Sequence, residues 1–549
     1  MSLEFVEEAF TEEERAILAP HFTNLDGPVF ALIDLPEVVK GALFARYSRS
    51  PKSLRRLYLD EFAQGAEAPR RVASSDAVGV ERAEKLYERV FLEYGDDSVA
   101  QLGGVHLACE QASQLLAKVL EWGRLAAYLE QSTRYVPYDD RPGGRWRYHV
   151  PEEVIAAGPD LTDRYRAVLD RAFETYARWL GPMQEFFRDL YPQSSEDSDF
   201  VYKMTIRAKA CDTLRALLPA ATRSNVGVFA TAQAYEQLLL RMRADPLAEV
   251  QQYADLILTE LRKVIPAFLT RVDLPERGGR WSEYLRRTGQ DTTEVGQELL
   301  AGVTPASREE VTLTDFDPDG EIKVVAAALY PASDLPDDQL MDEVRKMNVD
   351  ERARVLRAYV GERLNRRHRP GRAFERTSYR FDVLCDYGAF RDLQRHRLLT
   401  LEWQPLSPLH GYEVPPEVEA AKTLDDWTAV MDGSASLYES MREAGLGAAA
   451  QYAVPMGYRI RFYMDMNARE AMHLIELRTT PQGHPVYRRV CQEMHRLIAD
   501  QAGHRAVAQA MRFVDHSKVE LERLESERRT ETKRRALNES QGPERPSEA

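Results

Sequence analysis

A tripeptide of two arginines and one histidine is the densest group of chemistry-bearing side chains in the sequence. Arg395-His396-Arg397 places two guanidinium groups and an imidazole side by side in the chain. Guanidinium groups form planar, bidentate hydrogen bonds with phosphates and carboxylates, so the tripeptide is suited to binding an anion. An exposed basic turn is the alternative interpretation, and the tripeptide taken alone favours it.

A predicted helix farther along the chain carries a second set of polar side chains. Arg469 and His473 have the i, i+4 spacing that places them on one face of this helix. Asn467 and Arg478 are separated by about three helical turns and lie nearly on a common face. An arginine at the end of an apolar helix either stabilises the helix dipole or points into a site. Without the tripeptide, the dipole interpretation would be favoured.

The two halves of the sequence resemble each other. Arg215-Ala-Leu-Leu-Pro219 is similar to Gln451-Tyr-Ala-Val-Pro455. A second pair of corresponding positions, Trp122 and Arg395, is separated by a longer stretch of chain than Pro219 and Pro455. The difference between the two separations indicates extra sequence in the first half. This self-similarity predicts an old tandem duplication.

The tripeptide and the helix together resemble the flavin-dependent thymidylate synthases. In that family an Arg-His-Arg triplet is followed by a loop of the form Glu-x-Ser-x-Arg-Tyr, and the first half supplies this loop as Glu130-Gln-Ser132-Thr-Arg134-Tyr135. The first half has Trp122-Gly123-Arg124 in place of the triplet. The second half keeps the triplet and has Trp403-Gln-Pro-Leu-Ser407 in place of the loop. Each half has therefore lost what the other retains.

This complementary loss predicts one intact composite site between the two modules and one decayed site. The resemblance implies a catalytic role for Arg478 beside the pyrimidine. It implies FAD binding by one set of residues: Arg395, His396, Arg397, Asn467, Arg469, His473 and Ser98. It implies nucleotide binding by another set, in which the arginines hold the phosphate: Glu130, Ser132, Arg134, Arg215, Arg395 and Arg478.

The activity that the resemblance implies is reductive methylation of dUMP to dTMP. FAD would be the cofactor, and NADPH and methylenetetrahydrofolate would be co-substrates. The alternative is a flavin- or nucleotide-binding homologue that lacks this activity or uses another pyrimidine nucleotide. Two positions depart from the family pattern. Asp392 replaces a usual glutamine, and Ser98 lies in a weakly matching segment where a helix N-cap is an equal alternative.

The composition narrows the remaining function classes. The 549 residues carry a formal net charge of −15, which argues against a broad basic surface for nucleic acid. The sequence has no apolar run of the roughly 18–20 residues that span a bilayer, and its N-terminus does not resemble a secretory leader. The four scattered cysteines favour small buried side chains over a disulfide framework or a zinc site. We expect a cytoplasmic protein that binds neither nucleic acid nor membrane, and we assign no metal site.

The predicted fold class is α+β. Each of two divergent modules is expected to be helix-rich with a small, mainly antiparallel sheet. The predicted divisions are a first module over 1–275, a linker over 276–320, a second module over 321–515 and a charged tail over 516–549. Two such chains would recreate the four-module assembly of the family, so we expect a homodimer.

Local patterns predict most of the chain as helix. The predicted helices include Glu81–Tyr94, Leu161–Leu180 with an interruption at Gly181-Pro182, Val226–Arg243 and Leu424–Ala444. Short strands are predicted at Tyr135–Tyr138, Ile322–Ala327 and Thr377–Leu384.

Overall fold

The computed structural model describes residues 5–35, 47, 50–62, 104–195 and 197–517. Ser98, the predicted helix Glu81–Tyr94 and nearly all of the predicted tail lie outside the described residues. None of the helices in the described ranges combines the length and the apolar character that crossing a membrane requires.

Most of the described chain is helical, and it also contains eight strands. The helices are α1 Glu12–Leu18, α2 Leu54–Leu57, α3 Gln114–Leu120, α4 Glu152–Ala156, α5 Pro159–Leu190, α6 Asp199–Leu214, α7 Ala232–Ala244, α8 Ala248–Leu261, α9 Arg280–Leu299, α10 Gly320–Leu329, α11 Asp337–Lys346, α12 Val349–Val360, α13 Tyr387–Gln394, α14 Pro416–Ala420, α15 Leu424–Glu443, α16 Gly447–Ala450, α17 Ala468–Arg478, α18 Pro485–Asp500 and α19 Arg505–Ala510. The strands are β1 Val29–Ala31, β2 Gly104–Ser113, β3 Ala126–Glu130, β4 Arg223–Thr231, β5 Val311–Phe316, β6 Ser378–Asp386, β7 Thr400–Trp403 and β8 Arg459–Asn467.

The strands form two antiparallel sheets with the same topology. The first sheet has the order β1-β2-β4-β3, and the second has the order β5-β6-β8-β7. The first half supplies every strand of one sheet, and the second half supplies every strand of the other. The predicted fold class, two helix-rich modules that each contain a small antiparallel sheet, is confirmed.

Strand β8 shows why the second sheet forms. Its burial alternates along the strand, and the buried side chains are Ile460, Phe462, Met464 and Met466. This period of two places one apolar face against helices and leaves the arginines on the other face. Arg461, on that second face, pairs with Asp382 of β6 at 2.6 Å.

Matching helix caps show that the two modules share a local register. Ser113 caps α3 and Asp386 caps α13, and their separation in the chain equals that of Trp122 and Arg395. Thr231 caps α7 and Asn467 caps α17, and their separation equals that of Pro219 and Pro455. In each case a strand ends at a residue whose side chain accepts a hydrogen bond from an orphan N–H in the first turn of the next helix. The helix caps therefore follow the same two registers as the sequence repeat.

The described chain forms two compact units, and each unit is discontinuous in sequence. The first comprises Met1–Arg178, Arg215–Ala306 and Thr423–Met456. The second comprises Trp179–Leu214, Ser307–Lys422 and Gly457–Ala549. The predicted division at 275 and 321 remains a prediction. Within the predicted linker, the structure places helix α9 and strand β5, and β5 pairs with β6 of the second sheet.

A buried glutamate holds the first unit together across a long sequence separation. Glu249 accepts hydrogen bonds from the Ser113 hydroxyl at 2.6 Å and from the Tyr452 hydroxyl at 2.7 Å. The backbone N–H of Ala220 donates to the carbonyl of Val454 at 2.8 Å. The two Leu-Pro-type segments that look alike in the sequence, around Pro219 and Pro455, therefore pair with each other in this unit.

Three local predictions were wrong, and a fourth was wrong in part. Ile322–Ala327 is not a strand, because it lies inside helix α10, where Val324, Val325 and Ala326 are buried. Helix α5 runs through Gly181-Pro182 without a break, since buried residues on both sides keep its apolar face in place. The segment Tyr135–Tyr138 is irregular. The segment Val226–Arg243 was predicted as one helix, but its first residues belong to strand β4 and the rest to helix α7. The strand predicted at Thr377–Leu384 is confirmed as β6.

Candidate active site in the second unit

Helix α13 sets the position of the Arg-His-Arg triplet. Its N-cap, Asp386, accepts a hydrogen bond from the backbone N–H of Ala389 at 2.8 Å. The triplet follows the last residue of this short helix, and Arg395 forms its C-cap. His396 is buried, Arg395 is partly buried and Arg397 is exposed. The triplet is therefore not an exposed basic turn, because its central imidazole points into the protein.

Helix α17 supplies the second group of site residues. Asn467 is its N-cap, and the side-chain oxygen of Asn467 accepts from the Glu470 backbone N–H at 2.9 Å. The helix ends at Arg478, whose side chain is only 14% exposed. The predicted site arginine is thus mostly enclosed by protein, so a role confined to the helix dipole at the surface does not account for its position.

His396 lies between one group that donates to it and one that accepts from it. Nε of Arg478 donates to Nε2 of His396 at 3.0 Å. Nδ1 of His396 lies 3.2 Å from Oε1 of Glu470. Because an arginine Nε–H is always a donor, Nε2 must be the unprotonated nitrogen and Nδ1 carries the proton. The neutral imidazole therefore donates to Glu470 and accepts from Arg478.

Arginines from a basic loop complete this environment. Arg369 lies on the loop after α12, and its terminal nitrogen is 2.9 Å from Nδ1 of His473. Arg469 donates to the carbonyl of Pro370 at 3.0 Å and lies 3.4 Å from Glu375. Sequence reasoning did not select Arg369 or Glu470. The signal for Arg369 was a run of four arginines and one histidine over residues 366–372.

The site has a strongly positive electrostatic character. Burial and the neighbouring Arg478 hold the pKa of His396 well below its usual value. Burial, with Arg369 as the next cause, lowers the pKa of His473 to about 4. Burial raises the pKa of Glu470 to about 7, although Arg369, Arg469 and Arg397 act in the opposite direction. Both imidazoles are therefore neutral at pH 7, and the positive charge at the site comes from guanidinium groups.

Three potential metal ligands also meet here. One donor atom each from His396, Glu470 and His473 lies within 4.8 Å of the other two. Arginine donors contact both imidazoles, since Arg478 donates to His396 and Arg369 donates to His473. These guanidinium groups occupy imidazole nitrogens and repel a cation. The donor set consequently fits an anionic group better than a metal ion.

Two further residues lie near the Arg478 guanidinium. Its NH1 is 3.9 Å from Oδ1 of Asp392, and both side chains are about equally shielded from solvent. Its central carbon lies 5.4 Å from the centre of the Tyr487 ring, within the range of a cation–π contact. Asp392 is the residue that departs from the family pattern, and the structure places it beside the proposed catalytic arginine.

The predicted nucleotide-binding loop lies in the first unit. Glu130 is the last residue of β3 and is buried. The Ser132 hydroxyl accepts from the backbone N–H of Arg134 at 3.2 Å, which closes a tight turn. Arg134 is half-buried, and its guanidinium lies 5.9 Å from the Tyr135 ring. Arg215 is buried in a short 3₁₀ turn immediately after α6.

Among the residues that the structure describes in the first unit, different side chains occupy the positions equivalent to the triplet. Trp122 stands at the position of Arg395, and the guanidinium of Arg241 lies 5.1 Å from its ring. The carbonyl of Gly123, the equivalent of His396, accepts from the Tyr128 hydroxyl at 2.9 Å. By the register of the caps of α7 and α17, the equivalent of Arg478 is the buried Met242. Arg241 is thus one position away from the equivalent of the site arginine.

A cleft in the first unit lies apart from the predicted residues. Its volume is about 940 Å³, and its lining includes the N-terminal segment 5–9, Trp146 and Arg147. It reaches Gln131, the neighbour of Glu130 and Ser132, but no predicted site residue within the described ranges lines it. We assign it no role in the predicted chemistry.

All four cysteines are buried. Burial raises the pKa of the Cys109 and Cys491 thiols to about 12. A thiolate is the nucleophilic form of cysteine, so neither residue is suited to attack a pyrimidine at neutral pH. These two thiols are therefore not candidates for the nucleophile of the predicted chemistry.

Comparison with known proteins identifies the family to which this chain belongs. The sequence model of the thymidylate synthase complementing protein family matches residues 43–267 and again residues 312–503. A UPF0159 protein of Chlamydia muridarum is 37% identical over 525 residues, covering 95% of this chain and 98% of that protein. A UPF0159 protein of Chlamydia pneumoniae is also 37% identical, over 96% of this chain and 99% of that protein. The UPF0159 protein Ta1429 of Thermoplasma acidophilum is 30% identical, over 90% of this chain and 99% of that protein. The chain belongs to the thymidylate synthase complementing protein family, and it matches that family twice.

Proposed function

We propose that the protein is a FAD-dependent thymidylate synthase that converts dUMP to dTMP. Methylenetetrahydrofolate would donate the carbon, and NADPH would be the reductant. The observation that carries this proposal is the pairing of Arg478 with His396, which joins the ends of α17 and α13 inside a cluster of arginines. This pairing brings the two family motifs of the second half into direct contact.

Arg478 would be the catalytic residue. Its Nε is bound to His396, so its terminal nitrogens would be the donors for a pyrimidine carbonyl. A guanidinium at that carbonyl stabilises the negative charge that develops on the ring when carbon 6 accepts hydride. The mostly buried position of the group strengthens this electrostatic effect, because water screens the charge less.

The nucleotide phosphate would be bound by residues that the first half retains. Arg134 and Arg215 would bind it as planar forks, and Ser132 would add a neutral donor. Glu130 and Arg395 complete the proposed nucleotide set. The support for a composite site is the complementary retention of motifs in the two halves, since Trp122 and Met242 replace the corresponding second-half arginines.

The second-unit cluster has the donor chemistry that a flavin with two phosphates requires. Positive charge from Arg369, Arg397 and Arg469 meets there, and a dianionic diphosphate would offset part of it. The proposed FAD set is the one expected from the sequence: Arg395, His396, Arg397, Asn467, Arg469, His473 and Ser98. When bound, FAD supplies the hydride chemistry, and the protein orients it relative to the pyrimidine.

A specific observation favours testing a second substrate. Asp392 lies 3.9 Å from Arg478, at a position where the family usually has glutamine. A carboxylate only accepts hydrogen bonds, whereas a glutamine side chain both donates and accepts. A pyrimidine that presents an amino group, such as that of dCMP, would suit this carboxylate. The alternative function is a flavin- or nucleotide-binding homologue that lacks thymidylate synthase activity or uses a different pyrimidine nucleotide, and Asp392 favours the second of these possibilities.

Purified full-length protein distinguishes these possibilities. We expect bound flavin to be visible in its absorption spectrum, and we expect the protein to release the hydrogen on carbon 5 of dUMP when supplied with both co-substrates. The same assay with dCMP tests the alternative. A colourless protein that takes up no FAD would overturn the assignment as a FAD-dependent synthase. The homodimer and the cytoplasmic location remain predictions, and light scattering tests the first of them.

A further inference from the structure

Glu470 is a buried carboxylate that the proposed chemistry does not use. It lies in the first turn of α17, and its side chain is 5% exposed. A buried charge without a partner is costly, so its presence needs an explanation. Its oxygen meets the imidazole of His396, which in turn meets Arg478.

We propose that Glu470 and His396 are positioning residues that hold Arg478 for substrate binding. Helix α17 would then carry both the group that contacts the pyrimidine, at its last residue, and the carboxylate that orients that group, in its first turn. This inference rests on the proposed function, because that function gives Arg478 its substrate.

The direction of the hydrogen bonds supports the proposal. Arg478 always donates, so His396 accepts at Nε2 and donates from Nδ1 to Glu470. A carboxylate acceptor at Nδ1 increases the electron density of the imidazole and makes Nε2 a better acceptor. The chain of three groups thereby restricts rotation of the Arg478 side chain. The same arrangement keeps His396 neutral, since a second proton on Nε2 would face the guanidinium.

The charged groups around Glu470 come from several elements. Arg469 and His473 lie on its own helix, His396 and Arg397 follow α13, and Arg369 lies on the loop after α12. Asp392 and His473 also face His396. Burial gives Glu470 a pKa of about 7, so ionisation of this carboxylate falls within the physiological range. We therefore expect the orientation of Arg478 to be best above pH 7.

Two substitutions of Glu470 separate its hydrogen bond from its charge. Glu470→Gln keeps an oxygen that accepts from Nδ1 but cannot ionise, whereas Glu470→Ala removes the acceptor. We expect kcat to fall by about tenfold in the alanine variant and by less in the glutamine variant, as for other groups that orient a catalytic residue. Flavin affinity should change little. The rise of kcat through pH 7 should disappear in Glu470→Gln.

Glu402→Gln is the matched control. Glu402 is an exposed residue of β7 opposite Tyr463, and partial desolvation raises its pKa. Removing this second titrating carboxylate should leave the pH profile of kcat unchanged. If Glu470→Ala retains the kcat and the pH profile of the native protein, the positioning role is excluded.

A measurement that needs no turnover distinguishes this proposal from the proposed function. Nitrogen-15 NMR of histidine-labelled full-length protein reports which ring nitrogen of His396 carries the proton, with His396→Gln used to assign the signal. We expect the Nδ1-protonated form at pH 8 in the native protein and loss of this single form in Glu470→Ala. Protonation at Nε2 in the native protein would overturn the proposal even if the enzyme is active. The expected tautomer in a protein without synthase activity would leave the hydrogen-bonded chain intact and overturn the proposed function instead.

Discussion

Arg478 and His396 are 82 positions apart in the sequence, and their side chains meet at 3.0 Å. The contact joins the C-terminal end of one helix to a residue that closely follows another. It places a guanidinium and a neutral imidazole, rather than two cations, at the centre of the second unit's site. The predictions that follow depend on this pair and on the charged groups around it.

Replacement of Arg478 tests the proposed catalytic role. Arg478→Lys keeps a positive charge but loses the Nε–H that binds His396 and the planar fork. We expect kcat with dUMP to fall by about 100-fold, the size of effect seen when one donor to a developing oxyanion is removed. Arg461→Lys is the control, because Arg461 pairs with Asp382 on the sheet and lies outside the proposed site. Equal loss in both variants would indicate a general effect on folding rather than on chemistry.

The phosphate-binding role of Arg134 and Arg215 is tested by comparing two ligands. Each alanine variant should bind dUMP about tenfold more weakly or worse, because a charge-assisted hydrogen bond contributes about 1.5–3 kcal/mol. The loss should vanish for deoxyuridine, which has no phosphate. Isothermal titration calorimetry of both ligands measures this difference. Arg286→Ala, at an exposed pair on α9, serves as the control. Unchanged dUMP affinity in Arg134→Ala would contradict a site that draws on both halves.

The acid sensitivity of the free protein should depend on His473. Burial and Arg369 lower its pKa to about 4 in the folded state, whereas an unfolded histidine titrates near pH 6.5. Between these values the unfolded chain binds the extra proton, so stability falls as the pH falls from about 6.5 towards 4. His473→Gln should lose less stability over this range. The thermal unfolding midpoint of each protein at pH 7 and at pH 4.5 measures this loss of stability. An equal decrease of the midpoint in the native protein and in His473→Gln would contradict the prediction.

Glu470 should have the opposite effect on stability. Its folded pKa of about 7 lies above that of an unfolded glutamate, so the folded state binds more protons between about pH 4.5 and 7. Stability is then lost as the pH rises through 7. Glu470→Gln should therefore be more stable than the native protein at pH 8 and no more stable at pH 4.5. Chemical denaturation at the two pH values tests this, and a less stable variant at pH 8 would show that the ionised carboxylate is held favourably.

Several features of the fold could be predicted from local sequence because they depend on neighbouring residues. The apolar face of α17 is encoded within one helix. The duplication is visible because Pro219 and Pro455 sit in similar segments, and the helix caps at Thr231 and Asn467 follow the same register. The strand prediction for Ile322–Ala327 was wrong because a short apolar stretch does not distinguish a strand from a buried helix.

The role of Glu470 could not be predicted from the sequence. Its neighbours in the chain mark it only as a polar residue in the first turn of a helix, where acidic side chains are common. Its proposed role comes from His396, which is 74 positions away in the sequence and meets Glu470 only in the folded chain. Similarly, Arg369 lies in an arginine-rich loop that would ordinarily be solvated, and its contact with His473 depends on tertiary structure.

The central claim is that a duplicated chain retains one working site. Calorimetric titration of dUMP into FAD-saturated full-length protein, with the flavin content measured in parallel, counts the sites directly. We predict one dUMP and one FAD per chain, because Trp122, Gly123 and Met242 replace the second-half residues Arg395, His396 and Arg478 in the first module. Two equivalent sites per chain, or no saturable binding of either ligand, would contradict this account.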